Sequence, residues 1–182
     1  MIRRLPLNKL MHSFIRWVHT ASRISGVLAA LLIFVSLCVV CHMVFTRAVL
    51  GLSSIWQTEF VIFALIASTF IGSPYIMLTR GHVNVDIIPL MSSHGTRMKL
   101  AWVAYALSFV FCVLFLYGSV HWWLGAWETN ETTPSIWKAR LWIPYASVPV
   151  GLFFLCLQLI ADMLSLGAKI SLPFGLKPEE GI

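Results

Sequence analysis

The chain has 182 residues, of which 59% are hydrophobic and only 11% are charged. Because soluble domains carry roughly 25% charged residues, this composition excludes an ordinary water-soluble domain and indicates a protein embedded in lipid. The formal net charge of +6 does not indicate nucleic-acid binding. That function needs one continuous basic face, whereas the basic residues here are divided among the segments between apolar runs.

Four apolar runs define the predicted fold. Residues 24–45, 60–79, 100–127 and 141–161 contain no Asp, Glu, Lys or Arg. A helix rises about 1.5 Å per residue, so each run is long enough to cross a hydrocarbon core about 30 Å thick. We therefore predict an all-α membrane protein, with residues 1–182 as one domain. Its four transmembrane helices are expected at 24–45, 55–78, 100–127 and 141–161.

Residues 1–23 precede the first run and mix basic with apolar side chains at helical spacing. The apolar set is Leu7, Leu10, Met11, Phe14, Trp17 and Val18. This pattern predicts an amphipathic helix that lies in the membrane interface before the chain turns into the first span. A short disordered basic leader is the alternative.

The distribution of basic residues predicts the orientation of the helices. Ten of the 13 lie before the first run, between the second and third, or after the fourth. Lys and Arg are enriched in cytoplasmic loops, so both termini, including a tail at 163–182, are predicted to be cytoplasmic. Tryptophan prefers the membrane–water interface. Six tryptophans fall at the predicted outer ends: Trp56, Trp122, Trp123, Trp127, Trp137 and Trp142.

Prolines and a capping pattern predict local features of the spans. Ser54 and Gln57 match a capping box at the start of the second helix. Pro74 removes a backbone donor in the second span and predicts a bend, and Pro149 predicts a kink in the fourth. The third run would form a helix about 42 Å long, so it must tilt or extend beyond the hydrocarbon core.

The segment 79–99 mixes apolar and polar residues and is predicted to lie in the cytoplasmic interface between the second and third helices. Arg80, His82 and Asp86 are close together in this segment. We expect an ordered polar cluster that fixes the turn between the two helices. The alternative is a surface salt bridge, which contributes little stability.

The predicted spans contain almost no ionisable side chains, although intramembrane charges usually mark the paths of ions and protons. We therefore predict an accessory or scaffolding protein, neither an independent pump nor an enzyme. Glu59 is the exception, in the first turn of the second span. It can stabilise the positive end of the helix or contact a partner protein, and both readings stay open.

A haem b-bearing anchor subunit of a redox complex is the alternative function. His42 and His121 fall near the outer ends of the first and third spans, where two histidines could ligate a haem. Hydrogen bonding to water or backbone is the other interpretation of both. Cys38 and Cys41 form a Cys-x-x-Cys pair, which we interpret as small apolar residues. The favoured interpretation therefore places no metal or cofactor on this chain.

Several short motifs occur in an order that resembles a known family. They are Trp56-Gln-Thr-Glu59, Gly72-x-x-Tyr75, Arg80-Gly-His82-Val-x-Val-Asp86, Trp142-Ile-Pro144 and Pro149-Val-Gly151. With the basic leader and four spans, they resemble the small membrane subunit of tripartite ATP-independent periplasmic (TRAP) transporters, the DctQ-like family. The resemblance covers essentially the whole chain. Pro74 departs from it, because the family more often has small residues there.

The resemblance implies a role and partners in the bacterial inner membrane. A large membrane subunit would hold the solute and sodium sites, and a periplasmic binding protein would deliver the solute. This chain would brace the fixed part of the large subunit during cation-coupled uptake, without transporting alone. By resemblance, the candidate partner-contact or framework residues are Trp56, Glu59, Gly72, Tyr75, Arg80, His82 and Asp86.

Small residues on the second span add an independent expectation of close packing. Ala64, Ser68 and Gly72 recur every four residues and therefore share one helix face. Such a face allows two membrane helices to approach closely. The packing partner can be the large subunit or another helix of this chain.

Overall fold

The computed structural model describes residues 7–79 and 94–168. The helices in these residues are α1 (Leu7–Val49), α2 (Gln57–Leu78), α3 (His94–Glu128), α4 (Trp142–Tyr145) and α5 (Ser147–Gly167). Four segments, with α4 and α5 taken together, are long and apolar enough to cross a membrane. The predicted all-α fold with four membrane-spanning helices is confirmed. Most of the predicted interfacial segment at 79–99 and of the tail at 163–182 lies outside the described residues.

The helix α5 is the centre of the arrangement. It packs against α1, α2 and α3, whereas α2 packs between α1 and α5. The helix α3 packs mainly on α5 and α4, and Phe115 of α3 also meets Phe70 of α2, with ring centroids 6.0 Å apart. We call the end formed by residues 50–56 and 129–141 the loop end. The opposite end, where α2 and α5 finish and α3 begins, is the terminal end.

The first helix differs from the prediction, because no break separates a leader from the first span. The helix α1 runs for 43 residues without interruption. Its early apolar residues Ile15 and Val18 are buried against Ala161 of α5. The leader is therefore helical from Leu7 onward. Met11, Phe14 and Val18 pack in this contact with α5, whereas Leu10 and Trp17 remain exposed. The predicted turn into the membrane near residue 24 is absent.

The interface between α1 and α2 depends on two glycines. A Cβ added to Gly72 would lie 2.9 Å from the Cβ of Ala29 in α1. A Cβ added to Gly26 of α1 would lie 2.7 Å from Cδ1 of the Tyr75 ring. Real Cβ atoms essentially never come this close to another heavy atom, so each helix accommodates the other only because a side chain is missing.

A similarly close contact between α2 and α5 lies next to Pro74. Proline has no N–H, so it cannot donate to the carbonyl of Phe70 four residues earlier. The Ser73 hydroxyl donates to that carbonyl instead, at 2.8 Å. A Cβ added to Gly151 of α5 would overlap this same carbonyl group. The helix α2 continues through Pro74 to Leu78.

The fourth span is divided at Ala146 into α4 and α5. Pro149 explains the position of the interruption, because it offers no N–H to the carbonyl of Tyr145. The helical hydrogen-bond pattern resumes at the next residue, where Val150 N donates to Ala146 O at 3.2 Å. The helix then continues to Gly167, beyond the predicted end at residue 161, so Asp162 lies within it.

Candidate partner interface and internal framework

The residues selected from the sequence do not form one site. Arg80, His82 and Asp86 lie outside the described residues, so the predicted polar cluster between the second and third helices stays a prediction. The other four lie on α2 and divide into two pairs. Trp56 and Glu59 are at the loop end. Gly72 and Tyr75 lie toward the terminal end, and Tyr75 is 16 residues from Glu59, or about 24 Å along a helix.

Gly72 and Tyr75 both belong to the interface between α1 and α2. Gly72 is buried and faces Ala29, while the Tyr75 ring covers Gly26. Ala64, Ser68 and Gly72 are all buried on the same face of α2. The structure therefore uses this small-residue face for packing within the chain. The sequence left two packing partners open for this face, the large subunit or another helix of this chain, and in the structure it packs on another helix of this chain.

Trp56 and Glu59 occupy the start of α2 at the loop end. Trp56 is the N-cap residue and offers no side-chain cap. Its ring meets that of Phe60 at 6.0 Å and that of Trp137 at 6.5 Å. The capping-box prediction for Ser54 is not met, because Gln57 Oε1 accepts from Ile55 N, at 3.1 Å. Trp56 thus joins α2 to the loop at 129–141.

Glu59 has one carboxylate oxygen, Oε2, that is shielded from solvent and has no hydrogen-bond partner in the part of the chain described here. The residue lies in the first turn of α2, where the unpaired backbone N–H groups create a partial positive charge. This position stabilises an anion. It also leaves a strong acceptor available to a donor from another molecule if the side chain rotates.

A buried polar chain between α1 and α5 was missed by the sequence analysis. The Ser22 hydroxyl donates to Gln158 Oε1 at 2.7 Å, and Gln158 Nε2 donates to Asp162 Oδ1 at 3.0 Å. Gln158 has 0% exposure and Ser22 has 1%. Because a buried amide without partners is costly, this chain specifies how α1 and α5 meet. The only sequence signal was a lone glutamine in an apolar run.

One basic residue between the second and third spans is buried. Arg97 counts among the ten basic residues on the predicted cytoplasmic side, and its side chain is only 1% exposed. It lies in the first turns of α3, at the terminal end. Arginine is rarely fully buried without partners, so Arg97 belongs to the internal framework of this end.

The haem hypothesis gains no support from the arrangement of helices. His42 lies on α1, which packs mainly on α2, and His121 lies on α3, which packs mainly on α5. The described residues show no extensive packing between α1 and α3. The ring of His121 lies against Tyr117, with centroids 4.7 Å apart. The described residues contain no group of three or more His, Cys, Asp or Glu side chains that could hold a metal ion.

The cysteines divide between surface and interior. Cys38 and Cys41 are exposed on α1, whereas Cys112 and Cys156 are buried. The buried pair packs with Leu159 in an apolar cluster between α3 and α5. Cys112 and Cys156 therefore act as small core residues, while Cys38 and Cys41 lie on the apolar outer surface of the first span.

Aromatic side chains join the end of α3 to α4 at the loop end. Trp122 stacks on Tyr145 with centroids 4.1 Å apart, and Trp127 meets Trp142 edge-on at 4.5 Å. The indole N–H of Trp123 donates to the carbonyl of Trp142 at 3.0 Å. Indole rings favour the membrane–water boundary, and these contacts hold the end of α3 against α4.

The described residues form an integral membrane protein with four helices long and apolar enough to cross a membrane, and the motif residues on α2 lie at packing contacts and at the start of the helix. The chain matches the family model described as "Tripartite ATP-independent periplasmic transporters, DctQ component" over residues 36–168. It belongs to this family, which is a family of transporter components and not of enzymes. No curated protein and no solved structure matched the chain.

Proposed function

We propose that the chain is the small membrane subunit that binds and braces the large membrane subunit of its transporter. The assembly would take up an organic acid or a similar solute, delivered by a periplasmic binding protein and coupled to a cation. Membership of the DctQ family supports the assignment to a tripartite transporter. The single observation that favours a bracing role is the scarcity of ionisable groups in the spans.

That scarcity bears directly on cation coupling. A site for a permeating cation needs oxygen ligands, usually including a carboxylate. The four apolar runs contain no acidic residue. Glu59 lies in the first turn of α2. Asp162 lies in the last third of α5 and already accepts a hydrogen bond from Gln158. We therefore place the sodium and solute sites on the large subunit, with no cofactor on this chain.

The proposed location is the bacterial inner membrane, with both termini in the cytoplasm. Ten of the 13 basic residues lie in the segments that would then face the cytoplasm, as the positive-inside rule expects. In this orientation the loop end faces the periplasm. Trp56, Glu59 and the loop at 129–141 would then be the parts of the chain nearest to the binding protein.

Copurification tests the partnership. The large membrane subunit is tagged and coexpressed with this chain, the membranes are solubilised in a mild detergent, and the eluate is analysed by size exclusion. We expect the two chains to elute together in equal amounts. A chain that elutes alone while the large subunit remains folded would overturn the proposal.

Glu59→Gln separates the two readings of Glu59 in the same assay. If the carboxylate accepts a hydrogen bond from the partner, the variant should reduce copurification without lowering the thermal stability of the isolated chain. If the charge acts only at the helix end, the isolated chain should lose stability by about 0.3–1 kcal/mol and copurification should persist. Glu131→Gln, at an exposed position in the loop, is the matched control.

A further inference from the structure

A half-open cleft lies beside the loop end, between α1, α2 and the loop that precedes α4. Its volume is about 520 Å³, within the range of roughly 300–1,000 Å³ that is usual for ligand sites. The walls are apolar, with Leu32 from α1, Phe60, Phe63 and Ala67 from α2, and Ile143 from α4. We call it the loop cleft.

The mouth of the loop cleft has a different chemistry from its walls. Lys138 and Arg140 both line it, next to Trp137, and both cations are exposed. A third basic residue, Arg47, lies near this end in the last turn of α1. None of the described residues that line the cleft is acidic, so the two positive charges are not balanced within it.

The loop holds these cations in a defined place. Thr133 N donates to Ala139 O at 2.9 Å, and Ala139 N donates to Thr133 Oγ1 at 3.0 Å. These bonds close the loop around Lys138, whose backbone is left-handed with φ of 49°. That conformation favours glycine or asparagine, yet a lysine occupies it and its side chain projects from a fixed turn.

We propose that the loop cleft binds a phospholipid, with one acyl chain against the apolar walls and the phosphate between Lys138 and Arg140. The wall residues Phe60 and Ala67 are seven positions apart, so the cleft follows α2 for about 10 Å into the membrane. Trp137 at the mouth suits the depth of the headgroups. Apolar walls below two cations suit an anionic amphiphile. A soluble anion would leave the apolar walls uncovered, and an apolar partner helix would leave the two cations without a counter-charge.

Native mass spectrometry of the full chain in detergent tests the site. The probes are phosphatidylglycerol, a diacylglycerol with the same acyl chains, and glycerol phosphate. The three probes are compared at the same collision energy. We expect one phosphatidylglycerol to remain on each chain, and diacylglycerol and glycerol phosphate to dissociate. Retention of diacylglycerol or of glycerol phosphate to the same extent would overturn the proposal.

Variants assign the binding to the cleft. Lys138→Gln with Arg140→Gln should reduce the retained fraction by roughly tenfold, because charge-assisted hydrogen bonds to phosphate are strong. The charge-preserving pair Lys138→Arg with Arg140→Lys should retain the lipid. Ala67→Phe, which fills the cleft without changing charge, should also release it. Arg47→Gln removes the cation in the last turn of α1, which does not line the cleft, and is the control.

Two results would contradict the assignment. One is an equal loss of lipid in Arg47→Gln and in the double glutamine variant, which would indicate a general charge effect. The other is full retention in both the double glutamine variant and Ala67→Phe, which would place the lipid elsewhere. Circular dichroism and size exclusion confirm that each variant is folded. The test uses this chain alone, so it does not depend on the proposed partnership.

Discussion

The glycines of the chain show that its helices differ in how closely they pack against their neighbours. Gly26, Gly72 and Gly151 each lie where a Cβ would meet a neighbouring helix at once. Gly118 and Gly125 lie on α3, where a Cβ would meet nothing within 4 Å. The helices α1, α2 and α5 therefore form a closely packed unit that depends on missing side chains, whereas one face of α3 leaves its glycines open to the surroundings.

The largest effect is expected for Gly151→Ala. The added Cβ would overlap the backbone carbonyl of Phe70, and backbone cannot rotate away as a side chain does. We expect α2 and α5 to separate and the free energy of unfolding to fall by more than about 3 kcal/mol. The measurement is unfolding by SDS titration in mixed micelles. A loss below about 1 kcal/mol would show that the contact is looser than described.

Gly26→Ala should have a smaller effect on the same measurement. Its Cβ would approach the Tyr75 ring at 2.7 Å, but a ring that is 40% exposed has room to move. We expect a loss of about 1–2 kcal/mol, typical of moderate overpacking. Combining it with Tyr75→Ala should restore much of the loss that the methyl group causes. No recovery in the double variant would argue against this clash.

Ser22→Ala tests the polar chain that joins α1 to α5. The change leaves the buried Gln158 Oε1 without the donor that now lies 2.7 Å away. Hydrogen bonds between membrane helices contribute about 0.6 kcal/mol on average and up to about 1.7 kcal/mol, so we expect a loss near 1 kcal/mol. Ser53→Ala, an exposed serine in the loop that follows α1, is the control and should change nothing measurable.

Gly125→Ala should have the smallest effect and the opposite sign. Nothing lies within 4 Å of the added methyl group, and alanine favours a helix over glycine by up to about 1 kcal/mol. The isolated chain should be unchanged or slightly more stable. A clear loss of stability would mean that this face of α3 is packed and would remove the contrast with Gly151.

The sequence predicted the spans because lipid allows few choices. A chain in hydrocarbon must satisfy its backbone hydrogen bonds internally, so four long uncharged runs become four helices. The tryptophans at one end followed from the same solvent argument. The start of α2 was less predictable, since Trp56 and not Ser54 is the N-cap.

The contacts between helices could not be predicted in this way. Nothing in the sequence states that Ser22 meets Gln158, because that pairing depends on which helices are neighbours and on their rotation. The unbroken α1 was missed for the same reason, since the apolar face of the leader suits a membrane surface as well as it suits Ala161 of α5. The role of Gly151 appeared only when Pro74 and Phe70 were placed opposite it.

Uptake by reconstituted vesicles tests most directly whether this chain braces a transporter without transporting by itself. Vesicles with an inward sodium gradient contain this chain alone, or this chain with the large subunit and the binding protein. The probes are labelled dicarboxylate, sugar acid and keto acid. We predict that the chain alone accumulates no probe above empty vesicles and that the full assembly accumulates at least one. Sodium-driven accumulation by the chain alone would contradict the account.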